Sequence, residues 1–488
     1  MVDWRFGALV PIVVGGGWLA GCGPVPVGVG GPVERALPLP KGIRVAFNHR
    51  EGQRYRSPVS GRWRQGDDME GLVVEAIRGA RQEILVAVQE LSLPGVAEAL
   101  IERHRQGVAV KVVMENTYST PWSEQHPADL TPHQRLRQDQ LRALGQPDAV
   151  ALLQRAGVPM LDDTADGSAG SGLMHHKFLV VDRQVVVTGS ANFSPSCVHG
   201  DADDARTRGN VNHLLRFDSG PLAAVFAREF EQMWGDGPGG APDSRFGLAK
   251  ASGPPQRVWV GNTSVDVLFA PHRRSDPENG LHWLSGQLAA VRRRLDLSLF
   301  VFSAQTLADT MAALPPRGVA VRLLADPGFA SRPYSEVLDV LGVSRPDQNC
   351  LLEADNQVWR RPLEGVGTPR LVGGDKLHHK FAVIDRARVI TGSFNWSPSA
   401  AHQNDETLLL IASPQLAAHF TREMDRLWRG AELGVSGRME RGLVRSRQRC
   451  GGGRARPSEG RPPGAALTPG RPILALAPRS MRPSATAP

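Results

Sequence analysis

A chain of 488 residues exceeds what one hydrophobic core supports and fits two domains of roughly 150–200 residues each. Its 41% apolar and 22% charged residues exclude a disordered chain or a multi-span membrane protein. The net charge of +8 is unevenly placed: residues 438–488 carry eleven arginines against Glu440 and Glu459, a charge of +9, which leaves −1 for the rest.

Residues 1–22 read as an export signal. A short polar start precedes an apolar stretch, residues 6–20, too short to span a bilayer comfortably. It ends in Leu19-Ala20-Gly21-Cys22, which resembles the lipobox of bacterial lipoproteins. That resemblance implies acylation of Cys22 and a lipid anchor in the bacterial cell envelope, on the periplasmic or extracellular side. Residues 23–42 then serve as a flexible spacer. Cys197, Cys350 and Cys450 remain, an odd number that allows at most one disulfide, and no C-x-x-C pair offers metal-ligand spacing.

Beyond the spacer the chain repeats itself. Apolar runs at 43–47, 84–88 and 107–113 predict strands with helical patterns between them, and 265–269, 297–301 and 318–324 repeat the series. The order is preserved, so the spacing predicts two similar α/β domains, residues 43–238 and 255–432, each a mixed sheet flanked by helices. Gly and Pro cluster between them at 235–255, and an amphipathic helix is predicted near 416–428. Residues 438–488, rich in Pro, Gly and Arg, read as a basic disordered tail.

The strongest match closes each half. The first copy reads His175-His-Lys177-Phe-Leu-Val-Val-Asp182, then Gly189-Ser190-Ala-Asn192; the second reads His378-His-Lys380-Phe-Ala-Val-Ile-Asp385, then Gly392-Ser393-Phe-Asn395. Residues i and i+2 share one face of a strand, so His175 projects with Lys177 and His378 with Lys380, while His176 and His379 face away. Lysines as fixed cations and Ser190, Asn192, Ser393 and Asn395 as short donors suit the non-bridging oxygens of a phosphate. One imidazole can attack phosphorus while the other protonates the leaving oxygen, with roles exchanged when water resolves the phosphohistidine. The lysines supply the charge a metal would, so no cofactor is expected.

Both copies match at every defined position the signature H-x-K-x4-D-x6-G-S-x-N, and the chain therefore resembles the phospholipase D superfamily over residues 43–432. The resemblance implies two domains about a pseudo-twofold axis with one active site between them. It implies His175 as nucleophile and His378 as general acid, with the reverse assignment left open, and structural roles for Asp182 and Asp385. The family also places an acidic residue after the Gly-Ser-x-Asn turn to orient an imidazole; Glu406 holds that place in the second half, Asn212 in the first. That difference puts the tuning of the first half in question.

A lipid-anchored enzyme meets phospholipid head groups first, so the expected activity is a phosphoric diester hydrolase of the phospholipase D type. The alternative is a secreted or periplasmic endonuclease; nucleic acid is the less favoured substrate. A silent lipid-binding surface protein would not need His and Lys intact in both copies. Because one chain carries both motifs, a monomer is expected. Trp63, Tyr118 and Trp122 are candidates for a substrate mouth, and residues 162–170 imitate part of a calcium loop but have Leu173 where the bidentate acid belongs.

Overall fold

Strands without polar interruption, such as Glu83–Val88 and Lys177–Val181, are buried along nearly their whole length, as strands covered by helices on both faces must be. The structure is a computed structural model that describes residues 36–168, 172–200, 206–353 and 355–454. In the first sheet seven strands stand in the order Ile43–Phe47, His213–Asp218, Val185–Gly189, Lys177–Val181, Glu83–Val88, Ala109–Met114, Met160–Asp162. Glu83–Val88 and Ala109–Met114 are parallel, joined by the helix Pro94–Arg105, whereas Lys177–Val181 runs antiparallel to its neighbours.

The second sheet has nine strands and repeats this order: Thr263–Ala270, Glu406–Ala412, Arg388–Gly392, Lys380–Ile384, Arg294–Leu299, Ala320–Ala325, Val366–Thr368. Gln256–Val260 is added at one edge and Glu432–Leu433 at the other. The chain is thus a mixed α/β protein of two similar halves. The predicted strand at 297–301 starts earlier and stops at Leu299, which frees Phe300 to turn toward the site.

Two matching helices join the halves. Gly220–Trp234 is capped by Ser219 and Pro414–Trp428 by Ser413, each hydroxyl accepting from a backbone N–H of the first turn, with proline just inside. Leu222, Phe226 and Phe230 on one, and Leu416, Phe420 and Met424 on the other, follow a helical period. They share one core with Phe178 of the first sheet and Phe381 of the second. Truncating Phe420 to alanine in that joint core would cost about 3–5 kcal/mol.

The expected disordered tail at 438–488 is corrected in its first part. Gly437–Cys450 is a helix capped by Ser436, with Met439, Gly442, Leu443 and Ser446 buried and its arginines outward. A disulfide from Cys450 to Cys350 fastens its end to the body. The later residues, 455–488, and Cys22 lie outside the described ones. Among the described residues no helix is long and apolar enough to cross a membrane.

Candidate active site

The two motifs are brought together by short parallel bridges between the halves. Met174 bridges Asp405 and Val211 bridges Leu377; His175 N–H then donates to the Asp405 carbonyl at 3.0 Å, and His378 N–H to that of Val211 at 3.1 Å. Each histidine therefore enters the site beside the other half's post-motif segment. His175 Nδ1 lies 2.8 Å from the Glu406 carboxylate, and His378 Nδ1 2.9 Å from Asn212 Oδ1.

The same two residues also hold the motif serines: Ser393 Oγ donates to Glu406 at 2.5 Å and Ser190 Oγ to Asn212 Oδ1 at 2.8 Å. The expectation that Asn212 bears on the first half is thus reversed: the amide serves His378 and the carboxylate serves His175. Asn212 Nδ2 donates to the carbonyls of Cys197 and Asn210 at 3.0 and 3.1 Å, which fixes its oxygen toward His378. His378 then carries its proton on Nδ1, and Nε2 accepts from Lys380 Nζ at 3.1 Å.

Lys177 Nζ donates to the His175 carbonyl at 2.7 Å and to Gln89 Oε1 at 3.2 Å, and Asn192 Nδ2 reaches the same Gln89 oxygen at 3.2 Å. In the second half Phe300 takes the matching place, with Lys380 Nζ 4.9 Å from its ring centroid and the His378 ring 4.5 Å away. Gln89 and Phe300 were missed in the sequence; their only signal is that each directly follows a matching strand. Asn395 stands half-buried after the second turn.

The motif glycines permit these turns: a Cβ at Gly189 would come within 2.4 Å of the His213 carbonyl oxygen, and at Gly392 within 2.2 Å of that of Thr407. Asp182 accepts three backbone N–H groups, from Arg81, Gln82 and Glu83. Asp385 does the same with Arg292, Arg293 and Arg294. Both stand away from the imidazoles. His176 and His379 face away too, bonded to Glu229 and Glu423 on the two joining helices. Tyr118 packs against the first-half core, with Arg137 over its ring. Asp162 is bonded to Ser119 and Thr164, and Asp166 to Ser244, so this turn is tied by its own carboxylates.

A family model described as cardiolipin synthase, PLD-like domain, matches residues 73–234 and 284–428. The chain belongs to the PLD-like domain family. Among curated relatives, the mitochondrial cardiolipin hydrolase of Homo sapiens is 31% identical over 151 residues, 31% of this chain and 52% of that protein. Its counterpart in Xenopus laevis is 31% identical over 174 residues, 34% of this chain and 71% of that one. A phospholipase D of Rickettsia bellii is 23% identical over 158 residues, 32% of this chain and 66% of the relative. The chain thus spans about half the length of the human relative. Among solved structures, phosphatidylserine synthase of Haemophilus influenzae aligns over 80% of this chain and 89% of its own, with a TM-score of 0.48 and 14% identity.

In this PLD-like protein the buried charges set each group's state. Burial, then Lys177 and Lys380, hold His175 well below the usual imidazole value. Burial, then Lys380 and Lys177, do the same to His378. Burial lowers Lys177 to about 8 against the pull of Glu406; burial and then Lys177 bring Lys380 well below an ordinary lysine. Burial pushes Glu406 up to about 7, opposed by Lys177 and the Ser393 hydrogen bond. Both imidazoles are therefore neutral in the free site, with an Nε2 lone pair on each. An entering anion reverses the largest charge effect, because it offsets the lysines.

Proposed function

We propose that the chain is a phosphodiesterase of the phospholipase D type, cleaving or transferring the phosphodiester of phospholipid head groups through a phosphohistidine. The unequal pairing of the two imidazoles supports it. His175, backed by the Glu406 carboxylate, is the more basic ring and the better nucleophile. His378, backed by an amide, is oriented without being made more basic, which suits an acid that must release its proton.

The Nε2 lone pair of His175 bonds to phosphorus as the bond to the head-group oxygen breaks, and that oxygen takes the proton of His378 Nε2–H. His378 Nε2 takes this proton from solvent before the attack, as the substrate's charge offsets Lys177 and Lys380, and regains one in the second half-reaction. In the second half-reaction His378 Nε2 takes a proton from water while the water oxygen bonds to phosphorus. The phosphorus–nitrogen bond then breaks and returns its electron pair to His175. Lys177, Lys380, Ser190, Asn192, Ser393 and Asn395 hold the phosphate oxygens. The reading includes export and a lipid anchor at Cys22; the Cys350–Cys450 disulfide supports it, since such bonds persist in oxidising compartments.

Rapid quench with phosphatidylcholine, cardiolipin and single-stranded DNA tests the proposal. The expected result is an acid-labile, alkali-stable adduct on His175 with lipid, and no turnover in His175→Ala or His378→Ala. Cleavage of DNA alone would make the protein an endonuclease, and substantial turnover in either variant would exclude the shared site.

A further inference from the structure

The segment between Phe47 and Met69 takes no part in that chemistry. Its strands Arg54–Arg56 and Trp63–Gln65 pair antiparallel, Arg54 opposite Gln65 and Arg56 opposite Trp63. Alternation sends Tyr55 and Arg64 inward: Tyr55 Oη meets His199 Nδ1 at 2.8 Å, and Arg64 donates to the Thr207 carbonyl. Arg54, Arg56, Trp63 and Gln65 face out, joined by Arg62 in the turn. Trp63 is 65% exposed, more than any other large apolar side chain among the described residues, and the Arg54 guanidinium lies 5.0 Å from its ring centroid. Of the acids in this segment, Glu51 is engaged by Arg429 and Asp67 by Arg50, and Asp68 caps the helix Met69–Arg78.

The hairpin leaves the end of Ile43–Phe47 where Asn48 bonds the Asn210 carbonyl at 2.7 Å, and Asn210 is two residues from Asn212. It therefore stands on the end of the first sheet that carries the site. We infer that this hairpin seats the protein on a bilayer containing anionic phospholipid, an inference that rests on the phospholipid reading above. An amphipathic indole is favoured at the boundary between head groups and acyl chains, and guanidinium groups pair with lipid phosphates. Single-stranded nucleic acid fits less well: it needs open aromatic faces for stacking, and Arg54 covers one face of the hairpin's only outward ring.

The test uses the full chain carrying Cys22→Ser, which removes acylation, and sedimentation with phosphatidylcholine vesicles with and without phosphatidylglycerol. The parent binds the anionic vesicles preferentially. Arg54→Gln with Arg56→Gln weakens this binding by roughly fivefold per arginine, about 25-fold together, and Trp63→Ala weakens it further. Hydrolysis of soluble bis(p-nitrophenyl) phosphate stays unchanged in the double arginine variant, which also reports intact folding. Hairpin-dependent vesicle binding without phospholipid cleavage keeps the docking surface and defeats the substrate assignment. Cleavage of micellar lipid with vesicle binding within twofold of the parent in the double variant overturns the docking surface alone. So does binding of single-stranded DNA through these residues in place of vesicles.

Discussion

Glu406→Gln removes one charge from the centre of the site and little volume. The carboxylate is fully buried and 2.8 Å from His175 Nδ1. A carboxylate at that distance raises an imidazole by 1–3 pK units, about 1.4–4 kcal/mol at 1.36 kcal/mol per unit. That energy is lost wherever positive charge builds on His175, so kcat/KM for an alkyl phosphodiester should fall by about 10- to 1000-fold. The amide oxygen left by this substitution can still accept from Ser393 and His175, so the fold should persist. The pH profile supplies an independent check. Burial raises Glu406 to about 7, so the carboxylate is present above that pH and protonated below it. Wild-type kcat/KM should therefore decline as pH falls through about 7, and Glu406→Gln should lose this limb and run flat at the lower level. A variant within threefold of wild type, or one retaining the limb, would refute the reasoning.

His378→Ala should depend on the leaving group in the first half-reaction: release of an alkyl alcohol needs the proton and slows about 100- to 10,000-fold, whereas p-nitrophenolate leaves unaided, so rapid mixing should show a burst of p-nitrophenolate and then a stalled phosphohistidine. Asp385→Ala removes the acceptor of three backbone N–H groups and should lower stability by about 2–4 kcal/mol in urea melts. Its kcat/KM per folded molecule should stay near wild type if the residue is structural. Cys450→Ser opens a bond whose cysteines are 100 residues apart; the chain-entropy model puts its stabilisation near 4–5 kcal/mol. Trypsin should then cut within Gly437–Cys450 much faster than in the parent, and equal rates would show that the buried Met439 and Leu443 hold the helix by themselves.

The strands carrying the motifs were legible because they are continuous apolar runs with fixed polar residues at their ends, and because each occurs twice. The turn aspartates were legible as structural only through the resemblance. Which residue orients which histidine was not legible: Glu406 lies 28 positions after His378 in the chain yet bonds His175, 231 positions away. Crossing is decided by the bridges Met174–Asp405 and Val211–Leu377, and backbone bridges between halves leave no mark on side-chain pattern. The helix Gly437–Cys450 was hidden for another reason. Its inward stripe is short, two of its buried residues are Gly442 and Ser446, and three cysteines leave three pairings open.

A symmetric pair of one-motif chains must place the same residue beside both imidazoles, since both come from one coding sequence. Joining two copies in tandem lifts that constraint. Because the partners cross over, a single change at position 212 alters only the ring opposite it, and the two rings can drift toward separate duties. A severed half would hold a histidine without its orienting neighbour, so such specialisation ties the copies to one another.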